Sequence, residues 1–202
     1  GGLAQDKISE ENYQALNAGL GNLQKHIENI TQCFKLPCCV AINRYSTDKE
    51  GEIETVKQAC LKLGVKAHET TVWANGGKGA ASLADDVIEL CENSSGKISF
   101  TYDLSDSVEQ KIEKIVTRIY GGKRAVFTEQ AQKALNDIYN SGAEYKNLPI
   151  IIAKTQYSLS QDPKLTGLPK DFDFVIKNVF LRSGAGFIVA VAGDMMLMPG
   201  LP

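Results

Sequence analysis

Tyr45 and Trp73 are the two side chains whose type and position suggest chemistry with a flat ligand. Each stands in a loop directly after a stretch that reads as a strand, Tyr45 in Arg44-Tyr45-Ser46-Thr47 and Trp73 in Trp73-Ala74-Asn75-Gly76-Gly77. If those strands are neighbours in a sheet, both rings face one crevice. Stacking a planar heterocycle on such a ring is worth about 1–3 kcal/mol per partner. The alternative is a pair of edge-of-core aromatics, each with one polar handle. A third loop, Lys154-Thr155-Gln156-Tyr157-Ser158, offers Lys154 either to a phosphate or carboxylate or simply to solvent. Gly76-Gly77-Lys78-Gly79 invites comparison with a phosphate loop, but Lys78 is followed by Gly79, so the G-x-x-x-x-G-K-[ST] spacing is missing and a tight strand-to-helix turn is the better reading. There is no G-x-S-x-G elbow, and neither His26 nor His68 has a nearby carboxylate and nucleophile that would suggest a triad. Cys33, Cys38, Cys39, Cys60 and Cys91 are odd in number, contain no Cys-x-x-Cys and fall in helix or strand patterns, so they read as small hydrophobes and not as a zinc site.

The elements that must position these residues alternate. Leu16, Leu20, Leu23, Ile27 and Ile30 form one apolar stripe, predicting a helix to about Cys33. Leu36 to Ile42 is a short continuous apolar run, as in a buried parallel strand. Thr47 and Glu50 have capping-box spacing before a helix carrying Ile53, Val56, Cys60 and Leu63, which Gly64 ends. Residues 66–72 read as the second strand and Leu83, Val87 and Leu90 as the next helical face. Further on, a strand is expected at 98–102, a helix over 108–119, and a helix from N-cap Thr128 to about Asn140. Strands follow at 148–153, 172–181 and 187–192, with a Gly- and Pro-rich loop at 158–170. The expectation is an α/β fold, a largely parallel sheet flanked by helices with a strand-rich C-terminal part, divided as 1–147 and 148–202.

Composition narrows the class. The 202 residues are 43% hydrophobic and 23% charged, enough apolar content for a real core. Lysine and arginine number 22 against 24 acidic residues, and without a basic stripe nucleic acid is not an expected partner. No apolar run approaches the roughly 20 residues that a membrane helix needs, and Gly1 to Lys7 has no signal-peptide core, so a cytoplasmic protein is expected, with no membrane partner.

Several strings then fall in a recognisable order. They are Asn22-Leu23-Gln24-Lys25-His26-Ile27, Val40-Ala41-Ile42-Asn43-Arg44-Tyr45-Ser46-Thr47-Asp48, Asn147-Leu148-Pro149, Ala153-Lys154-Thr155-Gln156-Tyr157-Ser158, Gly184-Ala185-Gly186-Phe187 and Met198-Pro199-Gly200-Leu201-Pro202. Over nearly the whole chain they resemble successive landmarks of the formate–tetrahydrofolate ligases. The resemblance implies an enzyme that activates formate with ATP, as its magnesium complex, to formyl phosphate and passes the formyl group to N10 of tetrahydrofolate. It also implies that the phosphate loop lies upstream, with Gly1-Gly2 and Pro202 both looking like cut ends. The missing N-terminal portion is then the first partner, a homo-oligomer the second, and this piece is inactive alone.

In that family a phenylalanine and a tryptophan sandwich the folate ring system, and these map onto Tyr45 and Trp73. A pocket-lining leucine four residues before the tryptophan maps onto Glu69, a departure, because a carboxylate gives apolar contact only by reaching solvent or meeting a pterin N–H donor. Ser46 replaces a proline. The competing expectation is a non-catalytic ligand-binding or oligomer-assembly module on the same frame.

Overall fold

The computed structural model describes residue 7 and residues 9–194. Gly1-Gly2 and Met198-Pro199-Gly200-Leu201-Pro202 lie outside the described residues. The chain is α/β and separates into two compact units, Gly1–Ser99 and Phe100–Pro202. The expected boundary at 147/148 falls inside the second, where a strand before it pairs with one after it.

In the first unit, α1 (Tyr13–Glu28) continues through a π-helical turn, Asn29–Cys33, and so ends where its apolar stripe ends. The strand β1 (Val40–Asn43) lies parallel to β2 (Ala67–Thr70), with Asn43 opposite Thr70. Between them runs α2 (Glu50–Lys62), and after β2 come the single turn α3 (Val72–Asn75), a 3-10 stretch (Gly76–Ala80) and α4 (Ala81–Asn93). The buried apolar cluster is small: Ile27, Cys60 and Val65, with Leu23, Cys38, Val40, Val56 and Ala67 partly covered around them.

Two expectations fail in this unit. The N-cap of α2 is Lys49, which makes no side-chain cap bond, so Thr47 is not part of a capping box; the residues between Tyr45 and Asp48 are taken up by a turn instead. The stretch 98–102 is divided between the two units and forms no strand: the Ser99 N–H donates to the Phe34 carbonyl, and Phe100 is 74% exposed, so its β-rich composition has no neighbouring strand to pair with.

The second unit holds α5 (Val108–Lys114), which runs into a π-helical stretch (Ile115–Tyr120), then β3 (Arg124–Phe127), α6 (Glu129–Ser141), β4 (Ile150–Ala153), β5 (Asp173–Ile176), β6 (Asn178–Arg182) and β7 (Phe187–Val191). Ser107 and Gln110 form a true capping box at α5, and Thr128 caps α6 by accepting from the Ala131 N–H. β3 pairs parallel with β5, β4 parallel with β7, and β6 antiparallel with β7. Parallel pairing thus prevails, with strands crowding toward the C-terminal end. Fourteen buried residues, among them Ile112, Leu135, Phe174, Ile176 and Ile188, make one core. Lys111 is fully buried with them because its ammonium donates to the Lys146 and Leu148 carbonyls, though desolvation still lowers its pKa. Among the described residues no helix is long and apolar enough to cross a membrane.

Candidate functional site

Side chains alternate across the β1–β2 ribbon, and that alternation builds the site. His68 and Glu69 are consecutive on β2 and so project from opposite faces. On one face His68 and Lys66 both reach the buried carboxylate of Asp86 on α4, at 3.0 and 2.8 Å. On the other face Glu69 sits opposite Ile42 in register, and Arg44, two residues past Ile42, returns to that side. Arg44 Nη1 meets Glu69 Oε2 at 2.5 Å, and Lys57 Nζ, coming from α2, takes Oε1. Arg44 Nη2 also reaches Glu50 in the first turn of α2 at 2.9 Å.

Four charges of alternating sign therefore tie the end of β1 to β2 and α2. The hydrogen bond from Lys57, then that from Arg44, holds the Glu69 carboxyl below the usual carboxylate range, and Glu69 in turn raises the pKa of both cations. The carboxylate is thus satisfied by two cations of the protein itself, with its side chain 23% exposed.

Tyr45 and Trp73 follow the carboxyl ends of these two neighbouring strands, as the sequence predicts. Both are largely exposed, at 63% and 65%, so neither is a core residue. The Tyr45 N–H donates to Asp48 Oδ2 and the Asp48 N–H to the Tyr45 carbonyl, closing a turn despite the serine at position 46. Trp73 lies on the short α3, and its indole Nε1–H donates to the Arg44 carbonyl at 2.8 Å, so the two loops are joined at the residue before Tyr45.

The glycine loop is structural. Gly79 packs so closely on Thr71 that a Cβ would stand 2.6 Å from the Thr71 carbonyl group, and the Thr71 N–H donates to the Gly79 carbonyl. Lys154, in the second unit, bonds the Thr155 and Ser158 carbonyls and lies 5.1 Å from the Tyr120 ring centre, and burial lowers its pKa. It is a half-buried internal clamp, not a solvated end.

Sequence reading did not assign Lys57, Lys66 or Asp86, nor roles for Arg44 and His68. These pairs lie 12 to 29 residues apart, beyond any helical or strand period, so only folding joins them. An apolar hollow of about 520 Å³ lies elsewhere in the first unit, bordered by Leu36, Cys38, Val87 and Cys91, and is not lined by Tyr45 or Trp73. Among the described residues no cluster of three or more His, Cys, Asp or Glu could hold a metal ion.

Comparison with known proteins gives the family. The sequence profile of formate–tetrahydrofolate ligase matches residues 1–202. A formate–tetrahydrofolate ligase 2 of Lactobacillus acidophilus is 43% identical over 203 residues, which is 100% of this chain and 36% of that protein. The chain thus spans about a third of the length of this curated relative.

Proposed function

We propose, from the fact that this chain belongs to the formate–tetrahydrofolate ligase family, that it supplies the folate-holding part of an ATP-dependent carbon–nitrogen ligase. Tyr45 and Trp73 hold the pterin between them, and Glu69 enters the site as the shared counter-charge of Arg44 and Lys57. The observation that carries this reading is the bond from Trp73 Nε1–H to the Arg44 carbonyl, which ties two exposed aromatic loops together at the carboxyl ends of paired parallel strands. Ligands of α/β sheets gather at such ends.

The chemistry assigned to the whole enzyme runs in two steps. A formate oxygen takes the terminal phosphoryl group of ATP, releasing ADP. The N10 lone pair of tetrahydrofolate then attacks the formyl carbon, the carbon–oxygen bond to phosphate breaks, and N10 gives up its proton. Residues of this chain take no part in either bond change. Gripping the pterin fixes where N10 lies, and the gain is entropic, because a held nucleophile needs no further search for its partner. The nucleotide site, with magnesium on the ATP phosphates, belongs to the remainder of the polypeptide, so the isolated piece does not turn over. A cytoplasmic homo-oligomer completes the proposal.

Trp73 is the only tryptophan in the chain, which makes the test direct. Tetrahydrofolate should quench its emission saturably. Unchanged emission from folded protein at millimolar tetrahydrofolate would instead favour an assembly module that binds no folate.

A further inference from the structure

We propose that Arg44 is the positioning residue of the aromatic slot, acting through Trp73 and touching no ligand itself; this rests on the folate reading for the identity of the ligand but not for the effect on Trp73. With 65% of Trp73 exposed, packing restrains its ring weakly. Beyond the backbone of α3, the hydrogen bond from Nε1–H to the Arg44 carbonyl orients it. That acceptor must therefore be held still.

Arg44 is fixed from three directions. Its N–H donates to the Thr70 carbonyl at 3.1 Å, extending the β1–β2 ladder by one step. Its Nη1 is held by Glu69 on β2, and its Nη2 by Glu50 on α2. A flat fork bridging carboxylates on two different elements suits arginine and not lysine, whose single ammonium cannot span both with the same geometry. With Nη1 and Nη2 both engaged inside the protein, the guanidinium is committed to the scaffold.

The same geometry accounts for Glu69. Where an apolar residue would press on a ligand, Glu69 faces Arg44 and Lys57 with both oxygens, so it acts on the slot by holding Arg44. Arg44 and Glu69 thus work as one device, and replacing either alone removes the tie from the end of β1 to β2, leaving Glu69 with Lys57 or Arg44 with Glu50.

The test uses this chain, with its single tryptophan, as wild type, Arg44→Ala, Arg44→Lys and Glu50→Gln, each checked by far-UV circular dichroism. Without ligand, Arg44→Ala should lower Trp73 anisotropy and raise its acrylamide quenching constant about twofold, and should weaken tetrahydrofolate binding about tenfold through lost pre-organisation. Arg44→Lys should recover less than half of either effect. Should Arg44→Ala not fold, Glu50→Gln removes one arm at a 71%-exposed carboxylate and should shift anisotropy the same way by a smaller amount. Unchanged anisotropy in every folded variant overturns the proposal. If the wild type binds no tetrahydrofolate, the folate reading fails, while the anisotropy of the unliganded variants still decides the role of Arg44.

Discussion

The two units are stabilised by different means. The buried apolar cluster of the first consists of Ile27, Cys60 and Val65, whereas that of the second has fourteen members, with Phe174 stacked on Tyr120 at 5.4 Å between ring centres. The first instead carries polar networks: Arg44, Glu50, Lys57 and Glu69 on one face of β1–β2, and Lys66 with Asp86, joined by His68, on the other. Apolar burial gives stability without direction, while hydrogen-bonded ions fix geometry but add little net stability. A binding loop needs direction more than stability, and such regions come from the less stable parts of proteins.

The contrast is open to attack at several points. Its largest test is Phe174→Ala, which empties the centre of the second core and should cost about 3–5 kcal/mol, read as lost amide-exchange protection in β5 and β7. In the wild type, amides of β1 and β2 should already exchange faster than those of β5 and β7; equal protection would erase the distinction between the units.

Next comes Trp73→Ala. In a whole ligase carrying this segment it should weaken tetrahydrofolate binding by about 1–3 kcal/mol, roughly 5- to 150-fold, seen as a raised KM for tetrahydrofolate with that for ATP unchanged. Equal rises in both constants would point to general damage.

A pair of glycines sharpens the view that the loop after β2 is shaped by packing. Gly79→Ala should cost about 1–3 kcal/mol by overpacking against Thr71, whereas Gly77→Ala, with open space around its Cβ, should cost less than about 0.5 kcal/mol; urea melts followed by Trp73 emission measure both. Similar costs would mean that the close approach to Thr71 is not what the loop requires.

The smallest effect concerns acid. The hydrogen bonds from Lys66 first and His68 second hold the Asp86 carboxyl below its usual range. A carboxyl depressed by folding stabilises fully above its unfolded value of about 3.9 and loses that contribution as pH falls through the lower folded value. Asp86→Asn should therefore melt about 2–4 °C below wild type at neutral pH, and the gap should close as the pH drops below about 4. A gap independent of pH would remove the carboxylate's charge as its source.

Much of the fold could be read directly from residue order. The 16–30 stripe, the helix capped by Thr128 and the strand at 150–153 are local patterns, legible because helices and buried strands impose their own periods on apolar residues. β3 is not legible in the sequence, since Arg124-Ala125-Val126-Phe127 is too short to show a period, and 98–102 forms no strand because β-rich composition does not supply a strand partner. Of the candidate site, the two rings were legible as aromatics after strands. Glu69 was legible only as a departure from a family pattern, and nothing local to it announced Arg44 and Lys57.

What the chain's order determined by itself is therefore the α/β alternation, the family, and the placing of Tyr45 and Trp73 at strand ends. What only the tertiary structure decided is who meets whom across β1–β2: Glu69 with Arg44 and Lys57, Asp86 with Lys66 and His68, Trp73 with the carbonyl of Arg44. Periodicity is a property of neighbours along the backbone. Pairing of charges depends on strand register and on which helix covers which face, and those are fixed only when the whole unit folds.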